Sequence, residues 1–304
     1  MSSLDVESLI ERSEVAIREG QGPQVRMAIG KLNFAQIEDR LRLPLANLCR
    51  RVGLISGALR LLTPLIREGG SAKELAEYSV LLQKIGSLSE SLQTLEKVDT
   101  ELAPEALLYT AFYYFNRWEH DKAIPILNEY LHKPLSDYAM LVGRLNLAAA
   151  NSMSGQWEIA LELAIECQMQ AKAHGHWRLL ANCLELKAEI VLQSGTQSHP
   201  TPFALSRATE WLNEASEILK THKSFDQLFV WKWRSYVEDI EHKMVQQLQN
   251  FRALAVERRE WESVREADLL ALKIVPDAAG LNHLIFGTPC LGYRTRIQKV
   301  LGGN

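Results

Sequence analysis

The chain has 304 residues, 47% of them apolar and 23% charged, with a net charge of −3. That is the composition of a folded protein long enough for a large core or an extended repeat array. It carries no overall basic excess of the kind nucleic acid attracts, so direct nucleic-acid binding is not expected.

In chain order, the N-terminus MSSLDVESLIERSEVAIREG is charged throughout and lacks the apolar core of a signal peptide. No stretch approaches the roughly 18 apolar residues of a membrane span. Cys49, Cys167, Cys183 and Cys290 are widely spaced, which predicts reduced, mostly buried thiols and a cytoplasmic protein.

A unit then recurs: an apolar helix, a turn on a small or polar residue, a large residue two positions on, and a small residue three further on, opening a second helix. It reads LANLCRRVGLISGALRLLTPL around Gly53, Ile55 and Ala58, and YSVLLQKIGSLSESLQTLEKV around Gly86, Leu88 and Ser91. A weaker copy, YTAFYYFNRWEHDKAIPILNEYL, has Trp118 in the turn, then His120 and Ala123. RLNLAAANSMSGQWEIALELAIEC follows, with Gly155, Trp157 and Ala160.

Gly20 and Gly195 extend the register outward, so turn centres at 20, 53, 86, 118, 155 and 195 are spaced 33, 33, 32, 37 and 40. A further turn is expected near Arg259, 64 beyond Gly195, with Trp261 in the large position. Pro23 and Pro44 fit first-turn positions of helices. Glycine is absent between Gly195 and Gly280, which predicts long helices over about 204–220, 225–247 and 249–273. Alternating β-branched runs are lacking, so no strand is expected. The tail 276–304 breaks the pattern, and only 294–301 reads as helical. It either caps the last helix pair or leads into a further domain.

A period near 34 residues, with turn pattern G-x-[large]-x-x-[small], resembles the tetratricopeptide repeat over roughly residues 6–220 and 245–275. The first-helix aromatic and the Leu-Gly pair of that family are missing, and only Pro104 sits near a repeat-closing proline. The resemblance implies an all-α, right-handed α-solenoid of about six to seven antiparallel helix pairs over residues 1–275. One such pair cannot bury its own apolar face, so neighbours must stack.

Catalytic signatures are absent: no GxxxxGK[ST], GxGxxG, HExxH or GxSxG. FGTPCLG (286–292) reads as a turn. Cys167, His174, His176 and Cys183 are residue types that bind zinc, but they read more simply as two core cysteines and a loop. No enzyme activity, metal or cofactor is therefore expected.

Most aromatics read as core. The run Phe112–Phe115 cannot all face one side of a helix, nor can Trp231 and Trp233. In the family it resembles, first helices line a concave groove. Carried onto this register, the groove positions are Arg40, Asn47, Arg50 and Arg51; Lys73, Gln83 and Lys84; Phe112, Phe115 and Asn116; Leu145, Ala149 and Ser152; and Asn182, Glu185 and Glu189. That sequence of positions is basic, then aromatic, then acidic. It implies a protein or peptide partner with an acidic end and an apolar anchor. The function expected is a protein–protein interaction scaffold. The alternative is a sensor or regulatory repeat domain, as in some bacterial transcriptional regulators, whose output lies elsewhere. An uncapped end helix would also let two copies pair.

Overall fold

The computed structural model describes residues 3–18, 21–194, 200–222, 228–258, 260–276 and 280. Those residues form helices throughout: α1 (Ser3–Arg18), α2 (Gly22–Ile29), a 3₁₀ turn (Phe34–Gln36), α3 (Asp39–Arg51), α4 (Ile55–Arg67), α5 (Ala72–Lys84), α6 (Leu88–Leu95), α7 (Glu105–Asn116), α8 (His120–Leu131), α9 (Asp137–Met153), α10 (Trp157–Ala173), α11 (Trp177–Gln193), α12 (Pro202–Thr221), α13 (Leu228–His242), α14 (Gln246–Glu257) and α15 (Trp261–Ile274). No strand occurs among them. No described helix is long and apolar enough to cross a membrane. The chain divides into two compact units: residues 1–113 with 126–135 and 222–225, and residues 114–125 with 136–221 and 226–304.

The repeating turn is a stereochemical device. Gly53, Gly86 and Gly155 have φ of 76°, 84° and 82°, the left-handed region that glycine enters without steric cost. After each, a backbone N–H reaches back five residues and closes the helix: Leu54 to Cys49 (2.7 Å), Ser87 to Leu82 (2.9 Å) and Gln156 to Asn151 (2.9 Å). Trp118 adopts the same conformation at φ 57°, with Glu119 bonded to Tyr114 at 3.0 Å. The small position is equally regular. Ala58, Ser91, Ala123 and Ala160 are all fully buried.

In unit 1, α3 packs on α4, α4 on α5 and α5 on α6, while first helices α3 and α5 also touch. The core holds Ile29, Leu45, Leu48, Cys49, Leu61, Leu62 and Leu81. Each such leucine contributes about 2 kcal/mol of burial. Ser71 and Glu74 form a reciprocal cap that starts α5. In unit 2, α9 to α15 pack in succession, and α9 with α11, α11 with α13 and α13 with α15 make the first-helix layer. Its core joins Leu141, Cys167, Cys183, Leu184, Leu212, Trp233 and Tyr236.

Several expectations need correction. Pro23 does open α2, but Pro44 lies inside α3, where it removes the N–H that would bond the Arg40 carbonyl. Both residues are exposed. Pro64 and Pro125 also lie inside helices. The helix expected over 225–247 ends at His242, because Lys243 turns left-handed at φ 53°. The helix expected over 249–273 is two helices, α14 and α15. Since α11, α13 and α15 share a layer, α14 and α15 belong to successive helix pairs. The within-pair turn there is Lys243, which carries no glycine signal. Gly20, Gly195, Arg259, Cys290, FGTPCLG, the Trp261 side chain and nearly all of the tail 276–304 lie outside the described residues.

Candidate functional site

Buried polar side chains are not spread evenly over the helices. Ser13, Glu77, Ser79, Gln83, Asn151, Ser152, Glu185, Lys187, Glu189, Lys232, Asp239 and Ser263 all sit on first helices; among the described residues only Ser91 and His120 sit on second ones. Second helices instead bury small and aliphatic groups, such as Ala58, Leu61 and Leu62 on α4. The first-helix layer is therefore the polar layer of both units.

In unit 1 the centre of that layer is Glu77 on α5. It accepts Arg50 Nε at 2.5 Å and Arg50 Nη2 at 3.3 Å, Asn47 Nδ2 at 3.2 Å and Tyr109 Oη at 3.3 Å. Gln83 Nε2 donates to the Tyr109 carbonyl (2.9 Å) and to Ser91 Oγ (3.2 Å). Burial works against the Arg50 charge, but Tyr109 and Glu77 outweigh it and raise its pKa. Burial, then the Glu77 charge, pushes the Tyr109 phenol up.

The basic stretch expected from the sequence is thus largely paired within the fold. Arg50 is held by Glu77, Arg51 by Glu14 at 2.7 Å, and Arg40 by Glu7 and Glu38. Lys73 and Lys84 are exposed and in no ion pair among the described residues. Asn47 and Gln83 belong to the Glu77 network. Phe112 is half-buried, its ring 6.1 Å from that of Tyr109. The structure therefore gathers Asn47 and Arg50 on one carboxylate, ties Gln83 to it only by way of Tyr109, and leaves Lys73 and Lys84 outside it.

Unit 2 has a second network. Lys232 on α13 is buried and bonded to Glu266 on α15 at 2.8 Å, with the Trp233 ring 4.8 Å away. Glu185 and Glu189 on α11 add two further buried carboxyls. Burial pushes the Glu185 carboxyl up to about 8 against the pull of Lys232, and Glu189 and Glu266 add to the rise. Burial would lower Lys232, but Glu266, Glu189 and Glu185 together raise it. The acidic residues expected at Glu185 and Glu189 are therefore buried and coupled electrostatically to a buried lysine.

Phe115 packs its ring 5.4 Å from His120, and Asn116 is half-buried beside it in sequence. Leu145, Ala149 and Asn182 are half-buried, while Ser152 is fully buried with no hydrogen bond on its Oγ. Cys167 and Cys183 lie in the core, and burial raises the Cys167 thiol to about 11. His174 and His176 stack at the α10–α11 turn, 6.0 Å apart. Among the described residues no three His, Cys, Asp or Glu side chains are placed to hold a metal.

Sequence reasoning misses Glu77, Tyr109, Lys232 and Glu266. A signal exists for one of them. Glu77 stands three and four residues before Val80 and Leu81, on the buried stripe of its helix.

No protein-family model matches the chain, and no curated protein matches it. Its fold is similar to a solved one, the crystal structure of Rap protein complexed with competence and sporulation factor. The TM-score is 0.60 at 12% identity, over 99% of this chain and 91% of that one. At that identity the likeness is one of fold. Together with the repeated left-handed turns and buried small residues, it makes this chain an all-α solenoid of tetratricopeptide-like helix pairs.

Proposed function

We propose that this chain is a non-enzymatic binding scaffold that holds a peptide or partner segment on its first-helix layer. The observation that supports the reading is the concentration of buried polar groups on first helices, ordered by hydrogen bonds. A hydrogen-bonded network like the one around Glu77 holds neighbouring side chains in place before a partner arrives. Of the groove positions expected in unit 1, Lys73 and Lys84 are the exposed cations in no ion pair among the described residues, and Phe112 is the apolar anchor. They suit a segment with an acidic end and an apolar residue. Buried thiols at Cys49, Cys167 and Cys183 suit a cytoplasmic setting.

The test is affinity capture from lysate with the wild type and a Lys73→Glu/Lys84→Glu variant, quantified by mass spectrometry. Both lysines are exposed, so the variant should melt as the wild type does. The expected result is a bound protein or peptide reduced at least about tenfold by the variant. Equal capture by both would overturn the proposal. Arg50→Glu/Arg51→Glu is the poorer test, because the first change sets a new carboxylate against buried Glu77.

A second reading is a sensor or regulatory repeat domain whose output lies elsewhere. The likeness over 99% of the chain to a protein solved in complex with a competence and sporulation factor favours it. Capture of a free peptide that changes the chain's association with a second protein would support this reading, whereas a bound segment with no such effect would support the scaffold.

A further inference from the structure

Helix α10 packs Trp157, Leu161 and Leu163 against the core at half burial, but its fully buried positions hold only small side chains. Its buried stripe is Ala160, Ala164, Cys167 and Ala171, all small, and it lets α10 lie close against α9 and α11. Three large apolar residues of the same helix face solvent instead: Ile159 is 49% exposed, Ile165 40% and Met169 61%. No other described helix exposes as many. Single exposed apolar residues are ordinary on a protein surface, but three on one helical arc form a patch.

The same arc carries Glu158, Glu162 and Glu166, at i, i+4 and i+8, all exposed. Like charges at that spacing work against the helix that bears them. Ion pairs seen in unit 2 involve Glu119, Glu210, Glu266 and Asp268, none of them on α10. The three carboxylates therefore stand without a cation among the described residues, alternating with the exposed apolar side chains.

We propose that the outer face of α10 docks a basic amphipathic helix of a partner protein. Its apolar stripe would seat on Ile159, Ile165 and Met169, and its lysines or arginines would meet Glu158, Glu162 and Glu166. Charge decides the occupant. A second copy, related by a two-fold axis, would bring carboxylate against carboxylate. An anionic membrane surface or a nucleic acid would be repelled. A helix with cations flanking an apolar stripe satisfies both halves of the arc. This site is separate from the first-helix layer and does not depend on it.

The probe is a synthetic helix of about 18 residues, long enough to be helical when bound, with leucines every third or fourth position and lysines elsewhere. A scrambled peptide of the same composition is the control. Titration calorimetry with the full chain should show saturable binding of the patterned peptide. The scrambled peptide, a Glu158→Gln/Glu162→Gln/Glu166→Gln variant and an Ile165→Ser/Met169→Ser variant should each bind at least about tenfold more weakly. All of these changes are at exposed positions, and unchanged melting would confirm the fold. Lys73→Glu/Lys84→Glu should leave the affinity unchanged, which separates this face from the first-helix layer. Equal binding of the scrambled peptide, or undiminished binding by the two α10 variants, would overturn the proposal. So would a dimer of the chain alone, seen by sedimentation, that those variants dissolve, because it would assign the face to a second copy.

Discussion

Glu77 is 5% exposed at its side chain and accepts four hydrogen bonds, two of them from Arg50. Removing one partner of a buried ion pair leaves an uncompensated charge, which is far more costly than losing an exposed pair. Arg50→Met should therefore destabilise the protein by about 3 kcal/mol in urea denaturation. Lys84→Met, at an exposed and unpaired position, should stay within about 0.5 kcal/mol. Comparable losses for the two would show that the Glu77 network adds nothing special. Glu185 makes a second prediction at this scale. Its folded pKa, near 8, lies above its ordinary 4.5, so the folded state holds the proton more tightly than the unfolded chain does. The stability this confers is present at acid pH and falls as pH rises from about 4.5 to about 8. Lys232, whose raised pKa keeps it charged, loses nothing until strongly alkaline pH. Thermal melting of the wild type should thus decline across pH 5 to 8, and Glu185→Gln should flatten the decline. Parallel slopes for the two proteins would mean that Glu185 titrates like an ordinary carboxyl.

At the scale of elements, the left-handed turn and the buried small residue are the two features that make a helix pair. Gly86 has φ 84° and nothing within 4 Å of the place a Cβ would take, so an alanine there meets only the backbone penalty. Gly86→Ala should cost about 1 kcal/mol. Ala160→Leu, at a fully buried contact, should cost about 1–3 kcal/mol through overpacking. Chemical denaturation measures both, and a neutral Ala160→Leu would contradict the close approach of α10 to its neighbours. These elements are legible in the sequence because glycine marks the turn at Gly53, Gly86 and Gly155. Where another residue takes the left-handed position the signal fades. Trp118 is legible from the surrounding register. Lys243 is not, so the end of α13 and the start of α14 escape a sequence reading. The cap of α14 is also invisible: it comes from Asp239 on the preceding helix, which accepts the N–H of Gln247 (3.0 Å) and Leu248 (2.8 Å).

For the whole molecule, fold class follows from periodicity, whereas the state of the charged residues does not. Arg50 finds Glu77 27 positions away, and Arg51 finds Glu14 37 positions away, about one repeat in either direction. Pairing at that range depends on how successive first helices stack, and a set of positions along one helix does not contain it. Of the basic positions read from the sequence, only Lys73 and Lys84 stay outside an ion pair among the described residues, and the acidic positions Glu185 and Glu189 are buried. A partner segment lying on the first-helix layer would shield that layer's backbone from exchange. Hydrogen–deuterium exchange of the full chain, with and without the segment recovered by affinity capture, should show new protection on α3, α5 and α7, around Asn47, Lys84 and Phe112. Protection confined to α4 and α6 would contradict the proposed binding face.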